Sequence, residues 1–114
     1  MAAYDLVIRN GTVATAGDVV LADIGVRQGR VVALAEGLDA GEREIDARGK
    51  IVTPGGVDSH CHLDQPMSDG SVMADGFESG TISAAFGGTT TVIPFACQMK
   101  GQALRAVVED YHSR

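Results

Sequence analysis

At 114 residues, with 45% hydrophobic residues, 21% charged residues and 15 glycines, the chain has the composition of a globular protein and the length of one domain at most, or of a piece of something larger. A net charge of −6 argues against nucleic acid or an anionic membrane as partner, and no apolar run approaches the roughly 20 residues of a membrane span. The opening MAAYDLVIRN lacks a basic segment followed by an apolar one, so no secretory signal is visible; two cysteines, Cys61 and Cys97, are then expected as reduced thiols in a cytoplasm.

The first half reads as β-rich. Tyr4, Leu6 and Ile8 alternate up to Asn10-Gly11, a dipeptide suited to a tight hairpin turn, with Thr12 to Thr15 as the return strand. A second hairpin is predicted from Leu21–Arg27 and Arg30–Ala35 around Gln28-Gly29. Glu44 to Asp46 forms a short strand, with Glu42-Arg43-Glu44 as a solvated hairpin surface. The Arg48-Gly49 turn leads into Ile51-Val52-Thr53. Residues 1–53 are therefore expected as a small antiparallel sheet or half a sandwich.

After Pro54-Gly55-Gly56 the pattern changes. Val57 to His62 reads as a short strand, followed by a polar loop to about Ala74. Asp75 and Glu78 make a D-x-x-E pattern that predicts a capping box, opening a helix that carries Phe77, Ile82, Ala85 and Phe86 and stops at Gly87-Gly88. Thr89 to Phe95 is β-branched and apolar, as in a strand of a parallel sheet buried on both faces; Pro94 marks where its pairing stops. Leu104, Val107, Val108 and Tyr111 form one stripe of an amphipathic helix, whose polar side carries His112 as a surface histidine. Residues 54–114 thus read as strand–helix–strand–helix, the repeat of a parallel α/β fold, and two such units leave sheet edges unpaired.

The stretch PGGVDSHCHLDQP holds the candidate chemistry. Alternate residues of a strand share a face, so Asp58, His60 and His62 point one way and Val57, Ser59 and Cys61 the other. Two imidazoles so placed can converge on one cation, with Zn–N distances of about 2.0–2.1 Å. An isolated H-x-H also arises by chance; the strand-end position, the Pro-Gly-Gly turn and the β-rich segment before it favour the metal. Asp58 either bonds a ligating imidazole or caps backbone N–H groups. Asp64 and Gln65 either line a substrate pocket or are solvated loop residues. Cys61 and Cys97 are read as packing residues.

TPGGVDSHCHLDQP followed by FESGTISAAFGGTTTVIPF, with YDLVIRNGTV and IDARGKIVTPGG before them, resembles the start of the cyclic amidohydrolases, in the dihydropyrimidinase and D-hydantoinase branch of the amidohydrolase superfamily. The resemblance covers essentially the whole chain. It implies an α/β protein in which β-sandwich strands (residues 1–53) precede the first two βα units (residues 54–114) of a metal-dependent (β/α)8 barrel, incomplete in this chain. It implies a binuclear zinc centre with His60 and His62 on the more buried metal. The remaining ligands, a carbamylated lysine, two further histidines and an aspartate, come from later strands; Lys50 and Lys100 do not fill the lysine's role. The implied reaction is hydrolysis of the ring amide of a dihydropyrimidine or hydantoin to an N-carbamoyl amino acid, by metal-activated water. The implied partners are a small cyclic amide or ureide, the remainder of the polypeptide and further copies in a homo-oligomer, and the isolated segment is expected to be inactive. Asp75-Gly76-Phe77-Glu78 departs from the Asp-Asp-Phe-Glu of many relatives. Asp64-Gln65 stands where dihydroorotases carry an arginine, which counts against that reaction. The same scaffold also serves allantoinases, deaminases and non-catalytic relatives that act in protein assembly, and retention of both histidines counts against the last.

Overall fold

The computed structural model describes residues 2–114, and the chain divides into two compact units, Met1–Pro54 and Gly55–Arg114. The first unit is a five-stranded sheet of β1 (Tyr4–Ala14), β2 (Val19–Arg27), β3 (Arg30–Ala35), β4 (Gly41–Asp46) and β5 (Ile51–Val52). Its order is β3-β2-β1-β4, with β5 also on β1. The β1–β2 and β2–β3 pairs are antiparallel, whereas β4 and β5 run parallel to β1, so the sheet is mixed rather than antiparallel as expected.

The Gln28-Gly29 hairpin forms as predicted, both residues having positive φ. Asn10-Gly11 does not turn the chain. β1 runs straight through it, and the ladder with β2 passes from Ile8↔Ile24 to Gly11↔Ala22, one extra residue on β1. This is a β-bulge with Asn10 at φ 59°. It switches the side-chain parity, so Ile8 before the bulge and Val13 after it reach the same cluster with Ala22, Ile24, Val26 and Val52. The bulged Asn10 N–H, left without a strand partner, donates to Asp23 Oδ1 at 2.9 Å. Arg9 beside it bridges Asp23 Oδ2 (3.0 Å), the Leu38 carbonyl (2.7 Å) and Glu44. Glu44 is accordingly an ion-pair partner, not part of a purely solvated surface.

The second unit is β6 (Gly56–Cys61), α1 (Phe77–Phe86), β7 (Thr89–Pro94) and α2 (Leu104–His112). β6 and β7 pair in parallel, up to Cys61↔Pro94. Close approach of the two strands needs Gly55: a Cβ there would lie 2.0 Å from Thr90 Oγ1 and 2.7 Å from Thr90 Cβ. The Asp75–Glu78 capping box does not form. The N-cap is Gly76, without a side-chain cap, because the Asp75 carbonyl is engaged by the Asp64 N–H and its carboxylate takes the Ser79 hydroxyl. The helix does stop at Gly87-Gly88. β7 is not buried on both faces here: in a two-stranded sheet each strand is an edge, and Ile93 is 54% exposed. In α2, Val107, Val108 and Tyr111 are half-buried and Leu104 is exposed. Among the described residues no helix is long and apolar enough to cross a membrane.

Candidate functional site

β6 delivers His60 one residue before its end, and His62 is the first residue beyond it. Alternation puts both rings on one side of the strand, with centroids 5.6 Å apart and planes at 62°. Both residues are exposed. Two imidazoles sharing a zinc ion at a tetrahedral angle, about 2.0–2.1 Å from each ring nitrogen, have centroids roughly 5 Å apart. The pair therefore fits as half of a four-ligand shell. No cluster of three or more His, Cys, Asp or Glu capable of holding a metal occurs among the described residues.

Phe95, just past β7, packs against both rings: its centroid is 4.3 Å from that of His60 and 5.3 Å from that of His62, nearly parallel to the latter. Its N–H donates to the Cys61 carbonyl at 3.0 Å, continuing the parallel pairing and bringing the ring alongside the histidines. The sequence reading missed this residue. The signal was available, since the last apolar residue of a strand parallel to an H-x-H strand falls at the same end of the sheet.

Asp58 takes the His60 backbone N–H on Oδ1 at 3.0 Å rather than an imidazole. His62 Nδ1 is hydrogen-bonded to Gln65 Oε1, and Cys97 Sγ stands 3.9 Å from the same nitrogen. Gln65 also lines a cavity of about 400 Å³ with Phe95, Cys97, Met99, Tyr111 and Arg114. Asp64 does not line it. Its backbone carbonyl accepts from Arg114 at 3.1 Å, and its carboxylate stands 4.0 Å from that guanidinium.

The segment after His62 is held from two elements. Leu63 is buried against α1, where Gly80 leaves room for it; a Cβ on Gly80 would lie 2.4 Å from Leu63 Cδ2. From α2, the Tyr111 hydroxyl donates to the Leu63 carbonyl at 2.8 Å while its ring packs edge-on to Phe77. Burial pushes the Tyr111 pKa up, so the hydroxyl stays a donor. Hydrogen bonding to Asp110 pushes the Arg114 pKa up as well, keeping that anchor charged. The sequence stripe identified Tyr111 as a packing residue; its hydrogen bond across 48 residues was not legible.

Residues 43–110 match the profile of the Amidohydrolase family. The chain belongs to that family. Amidohydrolases are generally metal-dependent. The chain is similar to a D-hydantoinase of Geobacillus stearothermophilus, 47% identical over 108 residues, which are 94% of this chain and 23% of the relative. It is also similar to an allantoinase of Rubrobacter xylanophilus, 46% identical over 94 residues, which are 82% of this chain and 20% of the relative. A solved structure of D-hydantoinase from Bacillus sp. AR9 superposes with a TM-score of 0.87 at 47% identity, over 95% of this chain and 24% of that one. The chain thus has the fold of the corresponding amidohydrolase portion and spans a fifth to a quarter of the length of these relatives.

Proposed function

We propose that this chain is the first part of a cytoplasmic, zinc-dependent cyclic amidohydrolase that opens the ring –CO–NH– bond of a dihydropyrimidine or hydantoin, giving an N-carbamoyl amino acid. In this reading Gly55–Arg114 supplies the first two βα units of a (β/α)8 barrel, whose other strands carry the remaining ligands, and the enzyme assembles as a homo-oligomer. The observation that carries it is the exposed His60–His62 pair on one side of a strand end, with spacing suited to a shared cation.

A binuclear zinc centre would supply an ionised water near neutral pH and polarise the ring carbonyl. The residues of this chain do the holding. His60 and His62 each offer a ring nitrogen. Phe95 packs against both imidazoles and limits their rotation. Leu63, fixed by Gly80 and Tyr111, sets the exit of the chain from His62. The cavity beside Gln65 and Phe95 is the wall against which a flat, uncharged ring can rest.

The test is His60→Ala and His62→Ala in the full-length polypeptide containing this chain. Changes to residues around a metal's ligands cost about 10–100-fold, so loss of a ligand itself is expected to exceed that in hydrolysis of dihydrouracil or hydantoin and to lower the bound zinc. Unchanged zinc content in both variants would refute the assignment. Allantoinase activity is the second reading, favoured by the 46% identity to the Rubrobacter xylanophilus relative. A panel of hydantoin, dihydrouracil and allantoin separates the two, the larger kcat/KM naming the substrate class.

A further inference from the structure

We infer that Gln65 is a positioning residue for His62: its side-chain oxygen accepts the Nδ1–H of the imidazole and so fixes the tautomer that leaves Nε2 free for a metal. The inference rests on the metal-site reading above and adds a residue to it.

A neutral imidazole carries one proton, and the nitrogen that keeps it cannot bind an ion. The hydrogen-bond partner of Nδ1 therefore decides which nitrogen is offered. Two groups face that atom: Gln65 Oε1, which is hydrogen-bonded to it, and Cys97 Sγ, which at 3.9 Å is at the far limit of a sulfur contact. The amide oxygen is the stronger acceptor of the two. Gln65 lies only three residues beyond His62, on a segment pinned at Leu63 by the Tyr111 hydroxyl and at Asp64 by Arg114. It is half-buried, and it bonds the ring in the metal-free chain. The opposite amide orientation would donate to Nδ1, drive the proton to Nε2 and block the site. Gln65, which lines the cavity, is thereby assigned a second role at the imidazole.

The experiment uses the full-length polypeptide, with zinc as the only added ligand, and measures affinity by competition with a chelator. In parallel, ¹⁵N resonances of labelled histidine in the metal-free protein report which ring nitrogen of His62 is protonated. Gln65→Leu removes the acceptor and keeps the bulk; Gln65→Glu can only accept. Gln65→Leu is expected to weaken zinc binding about 10–100-fold and to convert Nδ1 from a protonated to a mixed signal. Gln65→Glu is expected to restore the protonated Nδ1 signal and the affinity. Cys97→Ala should leave the Nδ1 signal unchanged. Unaltered affinity and Nδ1 signal in Gln65→Leu would overturn the inference, as would loss of the signal in Cys97→Ala alone. Should the wild-type protein take up no zinc, the metal reading fails, and an unprotonated Nδ1 in the neutral wild-type ring would overturn the role of Gln65 separately.

Discussion

Asp23 concentrates the polar bonds of the first unit on one carboxylate. It accepts the Asn10 N–H on one oxygen and the Arg9 guanidinium and Leu38 N–H on the other, while its side chain is almost wholly covered. The Asn10 N–H, with Arg9 and Leu38 adding to it, holds the carboxyl below its ordinary value of 3.8. A depressed folded-state pKa contributes stability that is fully present above the unfolded value and is lost as pH falls through the folded value. The thermal midpoint should therefore be flat in Asp23 ionisation above about pH 5 and fall below about pH 4. Asp23→Asn turns one of the two accepting oxygens into an NH2 that opposes the N–H of Asn10 or of Leu38, and removes the charge facing Arg9; it is expected to cost about 1–3 kcal/mol at pH 7. It should also lose less stability than wild type between about pH 5 and about pH 3. Parallel acid limbs for the two proteins would place the acid sensitivity elsewhere. At the other end of the chain, Phe95 offers no donor atom but touches both histidines. Phe95→Ala should weaken zinc binding of the full-length polypeptide while leaving its melting temperature within a few degrees; unchanged affinity would show that the strand alone orients the rings.

Among the elements, the contact between the Pro-Gly-Gly turn and β7 governs where β6 begins. Adding a methyl at Gly55 forces it into the β-branched Thr90, which is stiff about χ1 and cannot swing aside cheaply. Gly55→Ala should destabilise by about 1–3 kcal/mol, an overpacking cost. Combining it with Thr90→Ala removes the 2.0 Å and 2.4 Å clashes and should recover part of the loss in a double-mutant cycle. Simple additivity would mean that the turn relaxes without pressing on β7. Such close approaches mark what a sequence conceals. Asn10-Gly11 and Gln28-Gly29 offer the same positive-φ dipeptide signal, and only the second turns the chain. The first becomes a bulge because Asp23, thirteen residues away, satisfies the freed N–H and because Ile8 and Val13 then share one cluster. The D-x-x-E signal fails likewise, since Asp75 is engaged by Asp64 and Ser79. By contrast, the His60–His62 pairing, the helix stop at Gly87-Gly88 and the α2 stripe depend on local periodicity and were readable. The contacts of Phe95 and Tyr111 with the site join residues far apart in the chain, the first through the β6–β7 pairing and the second through α2.

For the whole chain, burial is uneven between the units. Val7, Val13, Ala22, Ile24 and Ala47 are buried in the first, whereas Leu63 is the one buried hydrophobic residue of the second among those described. There Phe86 is 92% and Val57 64% exposed, and β6 and β7 pair only with each other. A parallel sheet is stable when both faces are covered, and two edge strands with exposed apolar residues lack that cover. Sub-global opening follows local burial, so the two units should differ in amide hydrogen exchange. In the 114-residue chain alone, amides of β1 and β2 around Val7 and Ile24 are expected to exchange slowest, while β6 and β7 exchange nearly as fast as unstructured backbone. The same β6 and β7 amides should become protected in the full-length polypeptide, where further strands would cover them. The isolated chain should accordingly show no measurable hydrolysis of hydantoin or dihydrouracil, since two imidazoles on an unprotected strand hold zinc weakly. Equal protection of β6–β7 in the short and long chains would mean that Gly55–Arg114 folds on its own, and the need for further strands would then rest on the missing ligands alone.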